Sequence, residues 1–83
     1  MNPIEQRVFE VVKANTLRVL VDVQPQQVTL DTALTDLGAN SVDRVEVVMY
    51  SMEDLNLKIP SGELQGLADL RGLVGLLCRH LPT

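Results

Sequence analysis

The chain has 83 residues, 46% of them apolar but only Phe9 and Tyr50 aromatic, so it can build one domain around a core of Leu, Val, Ile and Met. Its single cysteine, Cys78, excludes an internal disulfide framework and any multi-cysteine metal site, and fits a reducing compartment. The net charge of −4 is unevenly placed: between Asp31 and Asp54 there are six acids (Asp31, Asp36, Asp43, Glu46, Glu53, Asp54) and one base, Arg44. Such a segment repels nucleic-acid phosphates and anionic membrane and favours basic protein partners.

In chain order, Ile4 to Leu20 reads as a helix, with Ile4, Val8, Val11, Val12 and Val19 at helical spacing and Pro3 suited to the first turn. The following "DVQPQQVTLDTALTDLGAN" loses the period, and Pro25 and Gly38 mark a long connection. A loop of this length needs pinning, and Val28, Leu30, Leu34 and Leu37 are the apolar residues expected to pin it. Ser41 to Leu55 reads as the second helix. Projection at about 100° per residue puts Val42, Val45, Val48, Met49, Met52 and Leu55 on one face, and Asp43, Val47, Tyr50 and Asp54 on the opposite one. "NLKIPSGE" interrupts at Pro60 and Gly62, and a short helical turn is expected near Glu63 to Gly66. The last helix, Asp69 to His80, carries the stripe Leu70, Leu73, Val74, Leu77 and Leu81, with Asp69 as its cap. Gly72 and Gly75 lower its helix propensity, and either would allow close packing. The fold class is therefore all-α: a small bundle of three main helices and one short one, with a long first loop.

Self-contained catalysis finds little support. Cys78 and His80 are two apart on a helix and point to different sides, so they form no dyad. Cys78 reads as a semi-buried small residue, and His80 as a solvated residue favoured by the helix dipole. There is no glycine-rich phosphate loop, metal-ligand cluster or paired-carboxylate motif. No apolar run approaches the roughly 20 residues that span a bilayer. The start "MNPIEQRVFE" has neither the basic nor the apolar part of a secretory signal, and a cytoplasmic monomer is the expectation.

Ser41 stands apart. Asn40 or Ser41 could cap the second helix, and a cap alone would account for the serine. A phosphate ester on Ser41 would also lie at the positive end of a helix dipole, a favourable place for an anion. No base stands near it in sequence, so a separate enzyme would have to activate the hydroxyl, and the pattern fits a modified serine better than a catalytic one.

The segment "DLGANSVDRVEVVMYSMEDLNLKIP" resembles the central part of acyl carrier proteins. In that family an acidic or amide residue, a serine, an aliphatic residue and an aspartate open the second helix; Asn40, Ser41, Val42 and Asp43 fill those places. "DTALTDLGA" and "EDLNLKIP" match the flanking loop and helix end. The resemblance covers the chain in helix order and Asp31 to Pro60 in detail, and departs where Asn40 replaces the usual Asp and where Arg44 brings a positive charge into a typically acidic helix. It implies an acyl-carrier bundle, not an enzyme, with a covalent 4′-phosphopantetheine on Ser41, taken from coenzyme A by a phosphopantetheinyl transferase. "GANSVDR" is similar to free-standing carriers of polyketide β-branching cassettes, which implies an acetyl or malonyl cargo. The implied partners are an acyl-loading enzyme, a decarboxylase or ketosynthase-like enzyme and a hydroxymethylglutaryl (HMG)-synthase-like enzyme. A fatty-acid-type, peptidyl or aryl carrier, or an unmodified helical adaptor, are the alternatives. The expected docking surface is the outward face of the second helix: Val47 and Tyr50 at its centre, Asp43 and Asp54 beside them, Glu46 and Arg44 at the edges, and Asn40 and Val42 next to the serine.

Overall fold

The computed structural model describes residues 1–64 and 69–81. The first helix, α1 (Pro3–Val19), begins where Asn2 and Glu5 exchange hydrogen bonds: the Glu5 amide donates to Asn2 Oδ1 at 2.8 Å, and the Asn2 amide to Glu5 Oε1 at 3.3 Å. Pro3 suits the first helical position, where its missing N–H would have no partner and its ring presets φ. Of the expected stripe, Val8 and Val12 are fully buried and Val11 and Val19 pack on the core, but Ile4 is 57% exposed because burial along α1 begins only at Val8. Phe9, Asn15 and Thr16 are buried as well.

The long first loop holds two 3₁₀ turns, Pro25–Gln27 and Leu34–Leu37. Val28 is buried, and Leu30, Leu34 and Leu37 pack on the core from half-buried positions, as the pinning role requires. A second tether is made by the backbone. The carbonyls of Leu30 and Thr32 accept from the amides of Arg71 and Leu70 at 2.8 and 3.0 Å, so the loop satisfies donors that the start of the last helix leaves open. An exposed Arg71–Asp31 ion pair at 2.9 Å lies over the same junction and adds little in solvent.

The second helix, α2 (Ser41–Leu55), ends where Asn56 turns to a left-handed φ of 56°. A 3₁₀ turn follows at Ser61–Leu64, which is the expected short element; Gln65 and Gly66 lie outside the described residues. The last helix, α3 (Leu70–His80), is capped by Asp69, whose side chain accepts from the Gly72 amide at 3.0 Å. Its stripe is deeply buried at Leu70, Leu73, Val74 and Leu77, and Leu76 widens it. His80 is not simply solvated: its Nε2 lies 3.0 Å from Glu63 Oε1 and ties the end of α3 to the preceding turn. The fold is all-helical, and α1 packs against both α2 and α3.

The rotation of α2 corrects the sequence expectation. Val47 is fully buried, with Ser51 and Leu55 below it on the core face, while Val42, Val45 and Met49 are 64%, 55% and 48% exposed. Tyr50 is half-buried at the α1 side, its ring 3.9 Å beneath the Arg18 guanidinium, and its hydroxyl donates to Glu46 Oε2 at 3.4 Å. Asp54 accepts from Asn15 of α1 at 2.9 Å. Val47 thus faces the core and Tyr50 the α1 side, while Asp54 stays exposed at the rim of the same seam. Of the expected apolar face, Leu55 is in the core and Val48 and Met52 pack against it, so the helix is turned part of the way round. The buried polar residues Asn15, Thr16 and Ser51 accompany that setting, which the apolar count alone does not register.

Gly75 is not a close-packing position. Among the described residues a Cβ there would meet only an Arg79 guanidinium nitrogen, at 3.8 Å. Gly75→Ala is therefore expected to raise stability by about 0.5–1 kcal/mol, read from urea unfolding midpoints at unchanged slope.

Candidate functional site

The approach to α2 is built residue by residue. The Leu34–Leu37 turn closes on Gly38, whose φ of 89° is a left-handed conformation that a side chain would strain. The Gly38 amide donates to the Thr35 carbonyl and the Ala39 amide to the Leu34 carbonyl, both at 3.1 Å, and Ala39 is buried. The chain therefore enters α2 from a fixed point. Asn40 is the cap: its Oδ1 accepts from the Asp43 amide at 2.8 Å, while Asp43 Oδ2 accepts from the Asn40 amide at 3.1 Å. This reciprocal pair is a capping box with an amide and an aspartate in its two places.

Ser41 is thereby released from capping. It is the first residue of the helix, it is exposed, and its hydroxyl lies 3.5 Å from Arg44 Nη2, one turn further on. An oxygen so placed looks outward from the positive end of a helix, beside a guanidinium, which suits an anionic ester on that oxygen. It does not suit a self-activated nucleophile. The neighbouring group is a cation, and the Asp43 carboxylate is engaged in the cap.

The structure gathers Asn40, Ser41, Val42, Asp43, Arg44 and Glu46 at the first turns of α2; Val47 is inside the core, Tyr50 reaches Glu46 from the α1 side, and Asp54 bonds to Asn15 a turn further on. Val45 and Met49 take their place in the outward face beside Val42. The signal for them was present, since all three share one side of the helical projection, but a valine-rich side reads first as core.

Cys78 is half-buried, and burial, then the negative Glu5, pushes its thiol above the ordinary range, which lowers its thiolate content near neutrality. His80 pairs with Glu63, so it does not activate that thiol. Among the described residues no group of three or more His, Cys, Asp or Glu is placed to hold a metal ion, and no helix is long and apolar enough to cross a membrane.

Comparison with known proteins agrees with this geometry. Residues 14–77 match the family described as phosphopantetheine attachment site. The chain is 40% identical over 73 residues to the polyketide biosynthesis acyl-carrier-protein AcpK of Bacillus subtilis, covering 88% of this chain and 89% of that protein. It is 35% identical over 80 residues to the acyl carrier protein of Guillardia theta, covering 95% and 98% of the two chains. An acyl carrier protein of Clostridium perfringens is 31% identical over 61 residues, covering 72% and 80%. A helical bundle with an exposed, non-capping serine at the head of its second helix, matched over most of its length by these carriers, belongs to the acyl carrier protein family, whose prosthetic group is 4′-phosphopantetheine.

Proposed function

We propose that Ser41 is the attachment residue, and that the chain holds an acetyl or malonyl unit there and donates it for β-branching in polyketide biosynthesis. The observation that carries the attachment is the Asn40–Asp43 capping box, which leaves the exposed Ser41 hydroxyl without a structural task. The polyketide role is supported by the Bacillus subtilis relative, named for polyketide biosynthesis, and the β-branching role by the likeness of "GANSVDR" to donor carriers. When bound, 4′-phosphopantetheine supplies a thiol that holds the acyl group as a thioester. The residues of this chain present it: Asn40 and Asp43 fix the first turn, and the Arg44 guanidinium and the helix end offset the negative charge of the phosphodiester. The base that takes the Ser41 proton comes from a phosphopantetheinyl transferase.

Partners dock on the exposed Val42–Val45–Met49 stripe, which runs down α2 from Ser41 and has Glu46 and Glu53 at its side. An apolar centre with a charged rim divides the work: the stripe sets how long a complex lasts, and the acids speed encounter with a basic partner. This assignment replaces Val47, which is inside the core, and Tyr50, which lies under Arg18.

With coenzyme A and a broad-specificity transferase, the wild-type mass is expected to rise by one phosphopantetheine and Ser41→Ala to gain none; loading of the alanine variant would sink the assignment. Ser41→Ala is expected to change stability by less than about 0.5 kcal/mol, whereas Asn40→Ala loses about 1 kcal/mol because it removes the cap. For docking, Val45→Ala and Met49→Ala are each expected to raise the off-rate from a cognate partner by about fivefold or more, with on-rates little changed. Wild-type off-rates in both would move the interface elsewhere. The donor role is read by mixing the acetyl-loaded protein with an HMG-synthase-like enzyme and a β-ketoacyl acceptor carrier. The acceptor is expected to gain two carbons at the expense of the acetyl thioester, and no discharge overturns the role.

A further inference from the structure

We infer that the clasp formed between α1 and α2 by Asn15, Ser51 and Asp54 is a chain-length filter, which closes this seam of the bundle to hydrocarbon and favours short acyl groups on this carrier. The inference rests on the reading that the acyl group is carried from Ser41.

An acyl chain long enough to gain by leaving water has an apolar destination in a protein this small: the Val, Leu and Ile core between the helices. The core face of α2 is interrupted there. Ser51 is fully buried between Val47 and Leu55, one turn to either side. Its hydroxyl donates to the Val47 carbonyl at 2.7 Å and accepts from Asn15 Nδ2 at 3.3 Å. Asn15 is 3% exposed, and the same nitrogen donates to the Val11 carbonyl at 3.1 Å and to Asp54 Oδ2 at 2.9 Å. Two N–H groups thus serve three acceptors, which fixes the orientation of the amide. Thr16, next along α1 and fully buried, donates to the Val12 carbonyl at 2.8 Å.

The seam therefore contains a polar layer, and among the described residues no buried side-chain polar atom lacks a partner. A hydrocarbon chain entering between α1 and α2 has to part them, which breaks the bonds from Asn15 to Ser51 and Asp54. Methylenes offer nothing in exchange, and the buried amide and hydroxyl are left unpaired. Every methylene gained by the cargo is set against that loss. A two-carbon unit has little apolar surface to bury and leaves the clasp shut. A serine and an asparagine in the middle of an aliphatic core are hard to explain by packing alone, since leucine and alanine would fill much the same space without polar atoms to satisfy.

The test uses wild type and Asn15→Leu/Ser51→Ala, each loaded with an acetyl- or octanoyl-pantetheine arm by a broad-specificity transferase from the corresponding acyl-coenzyme A. Methyl NMR of Val12, Val47, Leu55 and Leu77 reports on the interior, and thioester cleavage by hydroxylamine reports on shelter of the acyl group. In wild type, the octanoyl and acetyl forms are expected to give the same methyl positions and the same cleavage rate. In the apolar variant, octanoyl alone is expected to move these methyls and slow cleavage by about fivefold or more, the rate following the fraction of time the thioester is outside. Octanoyl-specific shifts in wild type, or none in the folded variant, overturn the filter. Should the double variant fail to fold, Ser51→Ala makes the same comparison, with the same direction expected. Failure of the Ser41 assignment is seen separately, as mass gain in Ser41→Ala.

Discussion

The amide of Asn15 decides how α2 is turned. By reaching from α1 to Ser51 and Asp54 it holds the two helices in one rotational setting. That setting sends Val47 inward and leaves Val42, Val45 and Met49 in water. A helix with apolar residues on most of its circumference has no strong preference of its own among rotations. A few directed hydrogen bonds in a water-poor seam supply one, because misplacing them leaves polar atoms buried and unpaired. The outward face of the carrier is thus a consequence of what lies on the inward one.

Much of the architecture was legible in the sequence, and the reasons are specific. The bounds of α1, α2 and α3 follow from local signals: Pro3, the Gly38–Asn40 approach, and Asp69 with its leucine stripe; the capping roles of Asn2 and Asn56 emerge only in the fold. The pinning residues of the first loop were legible because they are isolated apolar residues in a polar stretch. The rotation of α2 was not, because seven Val, Met and Leu residues spread around the helix make the projection ambiguous, and Asn15 gives no sign in sequence of the partner it will meet. Whether Asn40 or Ser41 caps was open for a similar reason: both residue types serve as caps, and only the reciprocal bond from Asp43 separates them.

The acidity of the Asp31–Asp54 segment also takes on a different meaning. Read as sequence it is an attractive field for basic partners. In the fold, Asp31 accepts from Arg71, Asp43 from the Asn40 amide, Glu46 from Tyr50 and Asp54 from Asn15. Carboxylates that hold local geometry still contribute to the long-range potential, so one set of residues shapes the surface and charges it. Neutralising one of them would therefore change structure and field together, and only the salt dependence of association separates the two.

The closure of α3 by the first loop bears on the order in which the chain assembles. The carbonyls of Leu30 and Thr32 meet their partner amides some forty residues later, at Leu70 and Arg71. During synthesis, α1 and α2 are complete before those amides exist, so the loop between them waits for the last helix to find its final seat. These are among the more distant pairings in the chain, and such pairings are the slow ones to form. The segment that delivers the backbone to Ser41 is thus settled by the last helix to be made. A transferase that recognises the seated loop would distinguish a finished carrier from a nascent one.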